Sequence, residues 1–223
     1  MNEITAVRVG RGRGKRVNVF LNGRFAFSLE AEVAVKEDLR VGRELSASHI
    51  EALTRTDQFQ RCLNAASRYL SYRPRSEAEL RERLSRRGFD SDSIEKVINR
   101  FKEQRLVDDA AFAQFWKENR ETFSPRSRRL TKLELKRKGV AEEIIDQVVD
   151  VVDDDSAYRA ALSKARRLPV SDYPGFRRRL GSYLQRRGFS YAVTEQMVAR
   201  LWREMSSLSP AIESNQDERG LKI

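Results

Sequence analysis

Pro74, Pro125 and Pro174 each stand fourteen residues ahead of a glycine, Gly88, Gly139 and Gly188, and those glycines are 51 and 49 residues apart. Four residues before each glycine comes a leucine (Leu84, Leu135, Leu184), and directly after it an apolar residue (Phe89, Val140, Phe189). Nine, ten and thirteen positions further the series continues as Val97, Ile98, Phe101; Val148, Val149, Val152; and Met197, Val198, Leu201. Six positions after the glycine, Ile94 and Ile145 agree and Thr194 departs. A period near 50 that keeps this many positions confines the chain to stacked supersecondary units.

Each unit reads as three helices. Proline is tolerated at or just before a helix start, where the first amides lack partners anyway. Ser76 and Glu79 have capping-box spacing. The glycine ends that helix in the left-handed conformation, with the next apolar residue folded back on it. Another helix then buries the apolar series at helical spacing. Upstream of each proline lies a further helical stretch, carrying Leu63, Ala66, Tyr69 and Leu70; Ala111, Phe112, Phe115 and Trp116; and Ala161, Leu162 and Ala165. Asp108 and Asp154 suit N-caps of the second and third units. Trp116 and Trp202 fall on these apolar faces and read as core.

Ahead of the repeats, Ile4, Ala6, Val7 and Val9 precede a basic Gly-Arg turn at residues 10–14. Val17, Val19 and Leu21 then alternate with polar or outward positions up to Asn22-Gly23, a strong hairpin signal. Phe25, Phe27 and Leu29 alternate on the far side. A β-hairpin or three-stranded sheet is expected at residues 3–30. The run Gly10 to Lys15 is not a Walker loop, because Val9 and Arg16 occupy positions that need Gly and Ser or Thr. The expected fold is mainly α: tandem three-helix repeats in an elongated array after a small N-terminal β-hairpin module. The segments are 1–45 for the module, 46–104, 105–153 and 154–205 for the repeats, and 206–223 for a disordered tail.

Few reaction classes fit the residues available. His49 and Cys62 are the only histidine and cysteine. Zinc sites of the Cys/His kind and a disulfide framework are therefore excluded. His49 sits at a helix start, Ser46 to Ile50, and Cys62 lies in a helical apolar pattern as a buried thiol. No cofactor, metal or catalytic residue is expected. No apolar run reaches the roughly 18 residues of a membrane span, and early arginines exclude a signal-peptide core. A cytoplasmic monomer without membrane contact is the expectation.

With 44 Lys and Arg against 33 Asp and Glu, the net charge is +11, a balance that points to polyanions. The charge is segregated. Between Pro125 and Gly139 stand seven basic residues (Arg126, Arg128, Arg129, Lys132, Lys136, Arg137, Lys138) and one acid, Glu134. Between Pro174 and Gly188 stand Arg177, Arg178, Arg179, Arg186 and Arg187, and no acid. Residues 140–155 carry seven acids and no Lys or Arg, so a separate acidic pole is expected. The pairs Arg86-Arg87, Arg137-Lys138 and Arg186-Arg187 close helices, where capping of the dipole and anion binding account for them equally well. Arg126, Arg128, Arg129, Arg177, Arg178 and Arg179 are placed by the repeat in a first helical turn, where cations are disfavoured. A phosphate backbone would explain them.

Several runs resemble the RecX regulatory proteins of bacteria. They are Arg73-Pro74-Arg75-Ser76-Glu77, Glu79-Leu80, Arg83-Leu84, Gly88-Phe89, Leu106-Val107-Asp108-Asp109 with Phe112-Ala113, and Arg129-Leu130, Glu134-Leu135, Lys138-Gly139-Val140. The hairpin from Val17 to Phe27 is also similar. The resemblance implies tandem three-helix repeats and a non-enzymatic role: binding the RecA recombinase filament on single-stranded DNA and modulating it, usually by inhibition. Double-stranded DNA is a further expected partner of the basic surface. The expected contacts are Arg86, Arg87, Arg126, Arg128, Arg129, Lys132, Lys136, Arg177, Arg178, Arg179, Arg186 and Arg187. The rival reading is a helix-turn-helix transcription factor on duplex DNA.

Overall fold

The computed structural model describes residues 2–10, 16–149 and 153–208, the side chains at 153, 154 and 208 excepted. Residues 11–14 of the expected turn, the apolar slot at Val152 and residues 209–223 of the expected tail lie outside the described residues. Contacts divide the chain between Val107 and Asp108 into two compact units.

The first unit opens with strands β1 (Asn2–Val9), β2 (Arg16–Leu21) and β3 (Arg24–Glu30), then α1 (Ala31–Lys36) and the two-residue β4 (Glu44–Leu45). The hairpin is therefore part of a four-stranded antiparallel sheet in the order β3-β2-β1-β4. Asn22 and Gly23 both take positive φ at the β2–β3 turn, as the Asn-Gly signal requires. The period-two pattern puts Val19, Leu21, Phe27 and Leu29 on one face, where they pack with Ile4, Ala34, Leu39 and Leu45.

Helix α2 (Ala47–Tyr72) spans 26 residues and serves two cores. Ser46 caps it by accepting from the His49 amide, so His49 marks a helix start. Its N-terminal half brings Leu53 to the sheet, and its C-terminal half brings Cys62, Ala65 and Ala66 to α3 (Glu77–Arg86) and α4 (Ser91–Glu103). Asp57 fixes the first junction: it is nearly buried, receives both Arg16 Nη atoms at 3.0 and 2.9 Å, and accepts from the Glu30 amide. Cys62 is fully buried, and desolvation, with Asp90 adding to it, pushes its thiol up to about 11. Only the thiolate attacks electrophiles. Native protein is therefore expected to react with a maleimide at pH 7.5 at least ~100-fold more slowly than urea-unfolded protein. Equal rates in the two states would contradict this placement.

In the second unit, α5 (Asp109–Phe123), α6 (Arg128–Arg137) and α7 (Glu142–Val148) share a core of Phe112, Ala113, Leu135, Val140, Ile145 and Val149. The last set, α8 (Asp153–Ala165), α9 (Tyr173–Arg186) and α10 (Tyr191–Leu208), is centred on Phe176, Leu180, Leu184, Phe189, Met197 and Leu201. Trp116 and Trp202 pack against these cores. Asp108 caps α5 through the Ala110 and Ala111 amides. Asp154 falls inside α8, whose first residue is Asp153, and so is not its cap. Helix α10 runs to Leu208, into the stretch expected as tail.

The glycine turns repeat to the atom. Gly88, Gly139 and Gly188 have φ of +85°, +76° and +86°. In each turn the glycine amide donates to the carbonyl three residues back, and the next amide donates to the leucine carbonyl five back: Phe89 to Leu84 at 3.3 Å, Val140 to Leu135 at 3.2 Å and Phe189 to Leu184 at 3.2 Å. That is a Schellman ending, and the apolar residue after glycine lies back on the fully buried leucine. Thr194 fills its apolar slot by burying a methyl group, 3.7 Å from where a Gly181 Cβ would sit.

Candidate nucleic-acid interface

The structure sorts the twelve expected contact residues by what already holds them. Ser127 caps α6, so Arg128 and Arg129 occupy its first turn and Arg126 lies before the cap. Helix α9 starts at Tyr173, with Pro174 inside its first turn, so Arg177, Arg178 and Arg179 are its fifth to seventh residues. The expectation that all six crowd a first turn is corrected: the dipole argument holds for Arg128 and Arg129 alone. The cause is the lead-in. Proline needs no amide partner within a first turn, and Phe176 is buried where the earlier units carry the capping Ser76 and Ser127.

Several of the twelve are engaged inside the protein. Arg126 pairs with Glu134, which also accepts from Arg120 Nε at 2.8 Å and Trp116 Nε1 at 2.9 Å. Lys132 pairs with Asp146, and Lys136 with Glu142 at 2.5 Å. Hydrogen bonding from Lys132 holds the Asp146 carboxyl below the usual carboxylate range, and Arg128 acts on it too. Arg177 reaches Glu195 at 2.9 Å and the Tyr191 hydroxyl at 3.2 Å. Its pKa is raised by the Glu195 hydrogen bond. Arg86 pairs with Glu82 one turn away. Two of the seven acids expected at a separate pole, Glu142 and Asp146 of α7, instead fold against the lysines of α6 and neutralise part of the basic helix.

Five of the twelve remain available. Arg87, Arg129, Arg178, Arg179 and Arg186 are exposed and have no carboxylate partner among the described residues. Arg187 bonds Ser124 Oγ at 3.0 Å and the Pro125 carbonyl at 2.8 Å and stacks on Tyr183. It meets Arg126 and Arg186 in one recess with Ser124 and Tyr183. In the first unit, Arg86 and Arg87 share a recess with Arg83 and Tyr69, alongside Glu79 and Glu82.

Two further cations escaped the sequence reading. Arg61 and Arg68 line an open recess of about 370 Å³ together with Arg16, Asn64, Arg87, Phe89, Glu30 and Glu32. Their seven-residue spacing with Asn64 between them puts all three on one polar face of α2, a signal present in the sequence.

Comparison with known proteins agrees with this architecture. Residues 2–46 match the family model "Regulatory protein RecX N-terminal domain", 62–101 match "RecX, first three-helix domain" and 108–149 match "RecX, second three-helix domain". The regulatory protein RecX of Clostridium perfringens strain SM101 is 28% identical over 207 residues, covering 90% of this chain and 97% of the relative. That of Bacillus pumilus is 28% identical over 202 residues, covering 89% and 77%. A crystal structure of regulatory protein RecX superposes with a TM-score of 0.57 at 24% identity, covering 88% of this chain. RecX from Lactobacillus salivarius gives 0.54 at 24% identity over 66% of it. These two support the fold. No helix among the described residues is long and apolar enough to cross a membrane. The three domain matches, in order along a sheet followed by three-helix sets, make this chain a member of the RecX family of regulatory proteins.

Proposed function

We propose that this chain regulates the RecA recombinase by binding its filament on single-stranded DNA and inhibiting it. The family's regulatory role and the resemblance described above support that reading. The observation that carries it is the set of arginines left exposed without a carboxylate: Arg129, Arg178, Arg179 and Arg186 in the second unit and Arg87 in the first. Exposed surface arginines lose little by staying unpaired in water, but guanidinium groups gain counterion release and bidentate bonds on a phosphate backbone. Arg126, Arg128, Lys132, Lys136, Arg177 and Arg86 act in a weaker second tier, because each must first give up a partner within the protein. Their carboxylates neutralise part of the basic charge on these helices.

The test is cosedimentation of the purified chain with RecA filaments formed on single-stranded DNA, in parallel with DNA alone and RecA alone. The chain is expected in the filament pellet at stoichiometric amounts, and in greater yield than with either component. Recovery only in the supernatant would reject the proposal. Capture by sequence-specific duplexes in place of filaments would favour a transcription factor.

A further inference from the structure

The second and third three-helix sets meet end to end. The Ser127 amide, at the start of α6, donates to the Arg187 carbonyl at the end of α9 at 3.0 Å. Around this junction lies an open recess of about 280 Å³ lined by Ser124, Arg126, Tyr183, Arg186 and Arg187. Three of its five lining residues are arginines, and none is acidic.

Two of the arginines are held from behind. Arg187 is clamped by Ser124 Oγ and the Pro125 carbonyl through a single nitrogen, Nη1, with Tyr183 against its face at 4.6 Å. Arg126 is tethered by Glu134, which is not a lining residue. Arg186 has no partner among the described residues. Glu134 offsets Arg126 from behind, but among the described residues no carboxylate pairs with Arg186 or Arg187 to relieve the repulsion between these like charges. An oxyanion would do so, and fixed guanidinium forks lose little freedom in binding one. The recess is open and small, which suits a phosphodiester rather than a whole nucleotide buried on all sides.

We propose that this recess seats one backbone phosphate of a single-stranded polynucleotide, bridging the second and third three-helix sets. The proposal rests on the nucleic-acid reading above and narrows it to one place. The seat would also link DNA binding to the geometry of the junction, because Arg126 comes from one set and Arg186 and Arg187 from the other.

The test compares Arg186→Ala with Arg137→Ala in the full chain. Arg137 holds the same place two residues before its glycine, is also exposed, and does not line the recess. Both changes remove one charge and one helix-end cation. Affinity for a 20-nucleotide oligothymidylate is measured against salt. Arg186→Ala is expected to lower the log–log slope by about 0.7 and the affinity at 0.1 M salt by about fivefold, with a much smaller change for Arg137→Ala. Equal effects would overturn the seat while leaving DNA binding intact. No oligonucleotide binding by the wild type would overturn both. A second measurement is independent of variants: hydrogen exchange at the Ser127 amide is expected to slow on oligonucleotide binding, and an unchanged rate counts against the seat. Inorganic phosphate forms the last arm. If it protects Ser127 at millimolar concentration while the oligonucleotide does not, the recess takes a free anion and the backbone assignment is wrong.

Discussion

Gly188→Ala is expected to destabilise the protein well beyond Gly88→Ala, although the two glycines occupy equivalent turns. Both have φ near +85°, so alanine at either costs about 1–2 kcal/mol of backbone strain. At Gly88 a new Cβ meets nothing within 4 Å. At Gly188 it would lie 2.5 Å from Ser127 Oγ and 2.9 Å from Leu130 Cβ. Ser127 cannot turn away without cost, because it is buried and its Oγ caps α6 through the Leu130 amide. Leu130 Cβ is fixed to the helix backbone. Overpacking of this kind adds about 1–3 kcal/mol. Thermal melts should place Gly188→Ala several degrees below Gly88→Ala, and amide exchange should quicken at α6 as well as at α9. Equal melting points would show that the end-to-end junction does not exist in solution.

The second large effect concerns binding. Replacing Arg129, Arg178 and Arg179 together by alanine removes three guanidinium groups that nothing in the described protein holds. If each neutralises one phosphate, the salt slope on single-stranded DNA falls by about 2. Variants of this kind converge near 1 M salt, so at 0.1 M the affinity should drop about a hundredfold. Circular dichroism should not change, because all three side chains are exposed. The comparison set, Lys132, Lys136 and Arg177 to alanine, removes the same charge from groups already paired with Asp146, Glu142 and Glu195. It should lose far less affinity. A matching loss in the two sets would mean that total charge alone governs binding.

The contrast between these sets marks where sequence reading stops. The glycine turns were legible because a Schellman ending is written in six consecutive residues, from Leu84 to Phe89 and at its two repeats. The β2–β3 turn was legible for the same reason. The start of α9 was not: a proline two residues before a cap and a proline inside a first turn leave the same spacing to the glycine. Phe176 in place of a capping serine was the available clue. Strand β4 has two residues, too few to show alternation. Pairing of Lys132 with Asp146, fourteen residues on, depends on how α7 packs against α6, which local pattern does not specify. The recess at the junction joins residues some sixty positions apart, with Arg187 reaching Ser124 and Pro125.

Inhibition of RecA is the claim on which the functional account stands. The direct measurement is the rate of ATP hydrolysis by RecA on saturating single-stranded DNA as this chain is titrated from none to stoichiometric amounts. The wild type should depress the rate progressively, and the Arg129, Arg178 and Arg179 triple variant should need a far higher concentration for the same effect. A rate that stays flat across the wild-type titration would contradict the account.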